Sequence, residues 1–417
     1  MQTKLSPEFA GTSAGQEAEA ILRKCVHCGF CTATCPTYQL LGDELDGPRG
    51  RIYLMTQMLE GAEVTRKTQL HLDRCLTCRN CESTCPSGVQ YGNLIDIGRR
   101  IVEEKVPRSF AERSVRTLLK EGLTSPMFGP AMKLGQALRP LLPPNLKLKV
   151  PPKDRTGRAH RWPARERPRK VLMLMGCVQP SMAPNINSAT ARVLDSAGIQ
   201  TMVADEAGCC GAIRSHLGDH EGGLNDMRRN IDAWWPSASA GNVEAIVMNA
   251  SGCGVTVKEY GHALADDLAY ADKARHISEL TRDLSELLPD MVDALKPMLD
   301  QRRSRNAAAP RMAFHPPCTL QHGQQLRGGV ETHMRALGFD VKLAPVESHL
   351  CCGSAGTYSV LQPEIAYQLR DRKLGHLAPL EAEVIMSANI GCIQHLQTGT
   401  TTPVKHWIEV LDEALHG

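Results

Sequence analysis

Two stretches, CVHCGFCTATCP (25–36) and CLTCRNCESTCP (75–86), decide how the first part of this chain folds. They are copies of one another at an offset of fifty residues, each a Cys-x-x-Cys-x-x-Cys-x-x-x-Cys-Pro run. Cys25, Cys28, Cys31 and Cys35 align with Cys75, Cys78, Cys81 and Cys85, and Pro36 aligns with Pro86. Structural zinc takes two separated cysteine pairs that close a tetrahedron, unlike four closely spaced cysteines repeated twice.

The spacing suits a cubane [4Fe–4S] cluster, which has an iron at each corner. Three cysteines in one tight turn cap three irons, and in two-cluster bacterial ferredoxins the fourth ligand comes from the opposite run. The pattern therefore assigns Cys25, Cys28, Cys31 and Cys85 to cluster 1, and Cys75, Cys78, Cys81 and Cys35 to cluster 2. Gly29, Thr32, Asn80 and Ser83 add small or hydrogen-bonding neighbours that tune such a group. The segments YLMTQMLEGAEV, NLIDIGRRIVEEKV and RSVRTLLKEGL that follow have helical spacing. Residues 1–137 are thus expected to form a mostly helical, ferredoxin-like domain with two clusters.

The other eight cysteines belong to a second, larger repeat. Cys177, the pair Cys209 and Cys210, and Cys253 recur as Cys318, the pair Cys351 and Cys352, and Cys392, at offsets of 141, 142 and 139 residues. A period held this closely implies a duplicated domain. Each copy alternates short apolar runs (KVLMLMG, then AIVMNASGC; MAFHPPC, then VIMSANIGC) with helical stretches such as 219–235 and PEIAYQLRDRKLGHL. Strand–helix–strand–helix–strand predicts a parallel sheet with right-handed crossovers.

The fold class is therefore α+β and multidomain: the helical domain, then two α/β Cys-Cys-Gly domains over 171–305 and 306–417. Every cysteine of the large repeat follows a predicted strand, which puts each set at the carboxyl edge of its sheet, where open α/β folds place ligands. Between the helical domain and the first sheet, residues 138–170 read as a linker. Five prolines lie in 138–153, and seven Arg or Lys face one Glu in 155–170. Such a stretch serves as a solvated tether, or as a basic patch for an anionic membrane surface or partner.

Bulk composition narrows the function classes. A net charge of +3, and only six Phe, four Trp and seven Tyr in 417 residues, argue against nucleic acid as a partner. The polar opening MQTKLSPEFAGTSAGQEAEA and the lack of a long apolar run predict a cytoplasmic chain whose sixteen cysteines stay reduced. No Gly-rich dinucleotide loop, phosphate loop or nucleophile elbow is present, so no flavin is expected on this chain and no residue is assigned a catalytic role.

Four converging thiols per Cys-Cys-Gly domain suit an additional cluster or metal, a thiol–disulfide pair, or a purely structural role. Cys177, Cys209, Cys210 and Cys253 form the candidate third site, and Cys318, Cys351, Cys352 and Cys392 the fourth. His216, His315, His322, His349 and His395 lie near these sites in sequence, as candidate ligands or proton relays.

Taken together, these motifs resemble the iron–sulfur subunits that serve flavin-dependent dehydrogenases, and above all the glycolate oxidase (glycolate dehydrogenase) iron–sulfur subunit family. The likeness covers essentially the whole chain. It is carried by CVHCGFCTATCPTYQLLGDELDGPRGRIYL, LDRCLTCRNCESTCPSGV, DEAGCCGA, NIDAWWP, ASGCGVTVKEYG, SHLCCGSAGTYS, SANIGC and HWIEVLDEAL. It implies separate FAD-binding subunits that oxidise glycolate to glyoxylate, and an electron-transfer role for this chain. A membrane acceptor such as quinone is also implied, with a peripheral position on the inner face of the cytoplasmic membrane. Related subunits for lactate or glycerol-3-phosphate oxidation, and a thiol–disulfide role of the heterodisulfide reductase kind, are the alternatives. One departure bears on the latter. The fullest Cys-Cys-Gly motif ends in Cys-x-x-Cys, but Ala250 and Asn389 stand where its extra cysteines would be. Any site in the C-terminal half uses four cysteines or recruits another ligand.

Overall fold

A computed structural model describes residues 3–152, 159–303 and 310–417. The N-terminal part is helical, as expected from its periodicity. The helix Ser13–Lys24 is started by Thr12, whose side chain accepts from the Gly15 N–H, and it buries Ala18, Ile21 and Leu22. Along Tyr91–Lys105 the residues Leu94, Ile95, Ile101 and Val102 face the same core. Gly98 lets this helix approach Pro48–Leu59, since a Cβ there would lie 2.5 Å from the Met55 sulfur. Cys25, Cys75 and Cys81 sit in this apolar cluster with Met55, Leu72 and Tyr91. The cluster runs are thus set into the core rather than hung from it.

The helix Phe110–Thr124 is different. A reciprocal Ser109–Glu112 capping box starts it, yet none of its residues is buried. Phe110, Leu118, Met127, Leu134 and Leu141 are all more than 60 % exposed. Of the expected tether at 138–170, residues 153–158 lie outside the described residues. The rest carries short turns at Arg139–Leu141 and Pro144–Lys147. It is pinned where Lys149 Nζ donates to the Ser359 carbonyl and Arg167 pairs with Asp195.

Two four-stranded sheets follow, parallel throughout. In the first, β1 (Arg169–Met173), β2 (Ile199–Met202), β3 (Ala245–Met248) and β4 (Thr281–Asp283) lie in the order β2-β1-β3-β4. In the second, β5 (Met312–Phe314), β6 (Val341–Leu343), β7 (Val384–Ser387) and β8 (Val404–His406) repeat it as β6-β5-β7-β8. The direction of winding reverses between β1 and β3, and between β5 and β7, the position at which open parallel sheets leave a crevice.

The register confirms the duplication. Leu174 N–H donates to the Val247 carbonyl in the first sheet, and His315 N–H donates to the Met386 carbonyl in the second. The fourth strands, TRD and VKH, are three residues each with Val404 their one apolar side chain, so no apolar run announces them.

One apolar cluster runs from Val171 and Val247 through Leu288 and Met312 to Trp407 and Leu415, under both sheets. The helices Pro184–Ser196 and Trp407–His416 meet across it, as do Leu284–Arg303 and Gly329–Ala336. The boundary expected at residues 305 and 306 lies outside the described residues.

Candidate metal centres

Each N-terminal run begins where a helix ends. Cys25 N–H bonds the Leu22 carbonyl, and Cys75 N–H bonds the Leu72 carbonyl. Left-handed residues then wind the chain into a tight loop: His27 and Gly29 in the first run, and Thr77 and Arg79 at the matching places in the second. Three of these are not glycine, and such backbone persists only where the surroundings over-determine it. Cys31 and Cys81 ride on the short helices Phe30–Ala33 and Asn80–Thr84. Cys35 and Cys85 follow, and Pro36 opens the next helix.

Folding brings these thiols together in two groups of four. Burial pushes the Cys31 thiol up to about 11, with further pushes from Cys25, Cys28 and Cys85. Cys78 and Cys81 are also raised by burial, and both feel Cys35 and Cys75. Cys85 thus sits with the first run and Cys35 with the second. All sixteen cysteines are free thiols. Two quartets of thiols, all but Cys28 buried or half-buried and none in a disulfide, match the donor set that a cubane takes up.

Sequence reasoning passed over Arg51, which is 1 % exposed beside the second quartet. Its Nε donates to the His71 carbonyl (2.7 Å), its other nitrogens reach Thr37 Oγ1, and Asp46 lies at 3.5 Å. Burial opposes its charge, but Cys75, Tyr91, Cys35 and Asp46 together hold it firmly protonated. Thr77 N–H also donates to Cys75 Sγ at 3.4 Å. A buried cation and an amide beside these sulfurs favour the more reduced, more negative state of whatever they bind. The arginine lies in GPRGRIYL, where nothing in the local pattern distinguishes it from a surface charge.

In the first Cys-Cys-Gly domain Cys177 follows β1, Cys209 and Cys210 follow β2, and Cys253 lies in the first turn of the helix after β3. The four thiols form a chain. Cys209 is drawn down by Cys177 and Cys210, and then by the N–H groups of Gly211 and Ile213. Cys177 and Cys210 are pushed up in return, through their hydrogen bonds to Cys209. The glycine of each motif is required by the backbone. Gly211 and Gly353 both have left-handed φ, and a Cβ would lie 2.8 Å from the Gly223 carbonyl oxygen and 2.4 Å from that of Ala366. The close approach that glycine permits is to the following helix.

The second domain repeats the chain of thiols. Cys318 and Cys351 sulfurs are 3.7 Å apart, Gly353 N–H donates to Cys351 Sγ, and Cys352 lies between Cys351 and Cys392. The imidazole of His315 joins this set, with donor atoms of His315, Cys352 and Cys392 all within 4.8 Å of one another. Burial, and then the charge of Lys373, keep His315 neutral. The other histidines are placed differently. His322 bridges Ser83 and the His349 carbonyl, and His395 bonds the Ala366 carbonyl. His216 lines the cavity beneath the first thiol set, and His349 is half buried beside His322.

Both sets open onto one cavity of about 1460 Å³, lined by Cys177, Cys209, Cys253, Cys318, Cys351 and Cys392 and closed by Thr77 and Arg99 of the helical part. Sequence placed the two sets at separate sheet edges, and the fold turns those edges toward each other. Ser251 N–H donates to the Ala388 carbonyl, and Ser251 and Thr319 hydroxyls bond at 2.7 Å. The second quartet abuts the second domain, where Leu76 and Cys78 pack with Cys318, Cys351 and Tyr358.

Comparison with known proteins agrees with this geometry. Residues 21–89 match the 4Fe-4S dicluster domain, and residues 171–258 and 312–397 each match the cysteine-rich domain. The glycolate oxidase iron-sulfur subunit of Escherichia coli (strain K12) is 55 % identical over 416 residues, covering 100 % of this chain and 99 % of the relative. A probable glycolate oxidase iron-sulfur subunit of Bacillus subtilis (strain 168) is 30 % identical, covering 91 % and 89 %. Lactate utilization protein A of the same organism is 26 % identical over 58 % of this chain and 99 % of its own. Two thiol quartets in a helical domain, followed by duplicated Cys-Cys-Gly sheets and matched end to end by these relatives, show that the chain belongs to the glycolate oxidase iron–sulfur subunit family.

Proposed function

We propose that this chain is the electron-transferring subunit of a glycolate-oxidising complex. In this reading FAD-binding partner subunits oxidise glycolate to glyoxylate, and the electrons leave through this chain to a membrane acceptor of the quinone class. Cys25, Cys28, Cys31 and Cys85 would hold one [4Fe–4S] cluster, and Cys75, Cys78, Cys81 and Cys35 the other. Such clusters supply one-electron chemistry and no hydride chemistry, so substrate oxidation belongs to the partner. The observation that carries the reading is the exchange of Cys35 and Cys85 between the runs, each lying with the opposite triplet.

The chain's own residues prepare this role. In the second left-handed loop Thr77 N–H donates to Cys75 Sγ, Arg51 supplies a fixed buried charge, and an apolar cluster surrounds the runs. Support for a peripheral membrane position comes from the exposed Phe110, Leu118, Met127 and Leu141, followed in sequence by the basic stretch that ends at Lys170. No described helix is long and apolar enough to cross a membrane. Flotation with anionic vesicles tests that position: Leu118→Glu with Leu141→Glu should release the chain.

The central test pairs the chain with its flavin partner. Cys28→Ser or Cys78→Ser should leave the partner's flavin reducible by glycolate while abolishing turnover with an acceptor. Normal turnover in either variant would refute the conduit. Running glycolate and D-lactate side by side separates the two donor readings, the second being suggested by the lactate utilization relatives.

A further inference from the structure

The two Cys-Cys-Gly domains are copies, so a position where they differ in chemistry stands out. His315 is such a position. Three residues before the first cysteine of its domain, it matches Leu174, three residues before Cys177. The backbone confirms the match, because the two N–H groups make the same bond to the adjacent strand. Leu174 packs in an apolar cluster with Cys210, Met227 and Trp234. His315 is 1 % exposed, and neither of its ring nitrogens has a hydrogen-bond partner among the described residues. A buried polar group left unpaired forfeits its hydration with nothing in return, and nearly all such groups in native proteins have a partner. An imidazole aimed at two thiols and bonded to neither side of the fold is most simply explained by a partner that is not protein.

We propose that His315, Cys352 and Cys392 form a binding site for a single divalent metal ion of the zinc class. Their donor atoms lie within 4.8 Å of one another, so all three can reach one point between them. Zinc–sulfur bonds of about 2.3 Å and zinc–nitrogen bonds of about 2.0 Å bring such donors onto a tetrahedron with little movement. The fourth position falls to the Cys318–Cys351 pair, whose sulfurs are 3.7 Å apart. A cubane needs its donors spread around separate corner irons. Among the described residues no three thiols of the N-terminal quartets converge as closely as this set does.

The surroundings complete the case. One other described group converges as tightly, Asp43, Asp46 and His71, but Asp46 is already engaged by Arg51 and Arg74. At the His315 site the available cation is Lys373, 2 % exposed and donating to the Glu347 and Ser348 carbonyls near Cys351 and Cys352. Three thiolates, one neutral imidazole and a divalent ion carry one net negative charge, which the Lys373 ammonium offsets. The histidine also occupies the ligand role left open by Asn389, which stands three residues before Cys392 where a further cysteine would be.

The test is metal binding by the full chain, read apart from activity and from the N-terminal clusters. Wild type, His315→Leu and His315→Cys are purified anaerobically and assayed for zinc and iron, then titrated with Co²⁺. Leucine is the side chain that the first domain carries at the matching place, so it suits the fold. Wild type should bind one tetrahedral Co²⁺, with thiolate charge-transfer and ligand-field bands, in competition with zinc. His315→Leu should lose that ion, or bind it at least tenfold more weakly, with its N-terminal iron and sulfide unchanged. His315→Cys keeps a donor and should keep the ion, which preserves the test if the leucine variant does not fold. Unaltered Co²⁺ spectra and affinity in His315→Leu would overturn the proposal, as would loss of an iron–sulfur signal in place of zinc. Failure of the N-terminal quartets to hold iron would instead count against the electron-transfer reading and leave this site's result intact.

Discussion

Asn389 Nδ2 donates to Cys392 Sγ at 3.8 Å, and the same side chain's Oδ1 accepts from Gly252 N–H of the other Cys-Cys-Gly domain at 3.3 Å. One amide thus touches a thiol in its own half and the backbone beside Cys253 in the other. Removing it in Asn389→Ala leaves the part-buried Gly252 N–H and the Cys392 thiol short of a partner, at about 1–2 kcal/mol. The melting temperature should fall by about 1–2 °C. A thermal scan under argon reads this directly, and an unchanged melt would mean that the bridge is idle.

Cross-donation predicts which cysteine variants resemble each other. Cys85→Ser should damage the same cluster as Cys28→Ser, although the two residues lie in different runs. Cys35→Ser should pair with Cys78→Ser in the same way. Each variant should lose up to about four irons from one site, with the EPR signal of the other retained. If Cys85→Ser instead grouped with Cys78→Ser, the thiols would be partitioned by run.

Arg51 sets a direction for the redox potential. Replacing it in Arg51→Gln removes a buried positive charge beside Cys75 and Cys35 and makes reduction of the group there harder. The potential should drop by about 60 mV, a tenfold change for one electron. A dye-mediated titration followed by EPR measures it. A rise, or a shift confined to the other cluster, would contradict the placement of the charge.

His262 and Glu17 tie the first α/β domain to the helical part at 2.8 Å. The bond to Glu17 raises the pKa of His262, and the bond to His262 lowers that of Glu17. The histidine's contribution is full below its unfolded value of 6.5 and fades as pH rises through the raised folded value. The glutamate's contribution is full above 4.5 and fades as pH falls through the lowered one. The stability gap between wild type and His262→Ala should therefore be widest between about pH 4.5 and 6.5 and shrink toward alkaline pH. A gap that grew from pH 6 to 8 would have the wrong sign.

Much of this was legible in the sequence because cysteine spacing is itself geometry. The fifty-residue repeat reappears as paired left-handed residues at His27 and Thr77 and at Gly29 and Arg79. The strand-then-cysteine rule located β1, β3, β5 and β7, and the helix at Pro363–Leu377 coincides with its predicted span. Other features were hidden for physical reasons. β4 and β8 are three residues each with a single apolar side chain between them, held by pairing with a neighbour rather than by their own pattern. Cys253 and Cys392 stand in the first turns of helices that read as strand ends, because Ser251 and Ile390 start helices without a capping side chain. His315 was one candidate among five, and only tertiary packing shows that its neighbours are thiols. Arg51 gives no local signal, since burial of a charge is decided by residues far along the chain.

The apolar cluster shared by both sheets has a consequence for how this protein can be taken apart. Cutting the chain between residues 303 and 310 would sever the covalent link and leave Leu288, Met291 and Leu295 still seated against Phe314, Met334 and Trp407. The two fragments should co-purify, and each expressed alone should be insoluble until mixed with the other. The duplication thus behaves as a heterodimer that happens to be written on one polypeptide, and a gene split at this point would still encode a working pair.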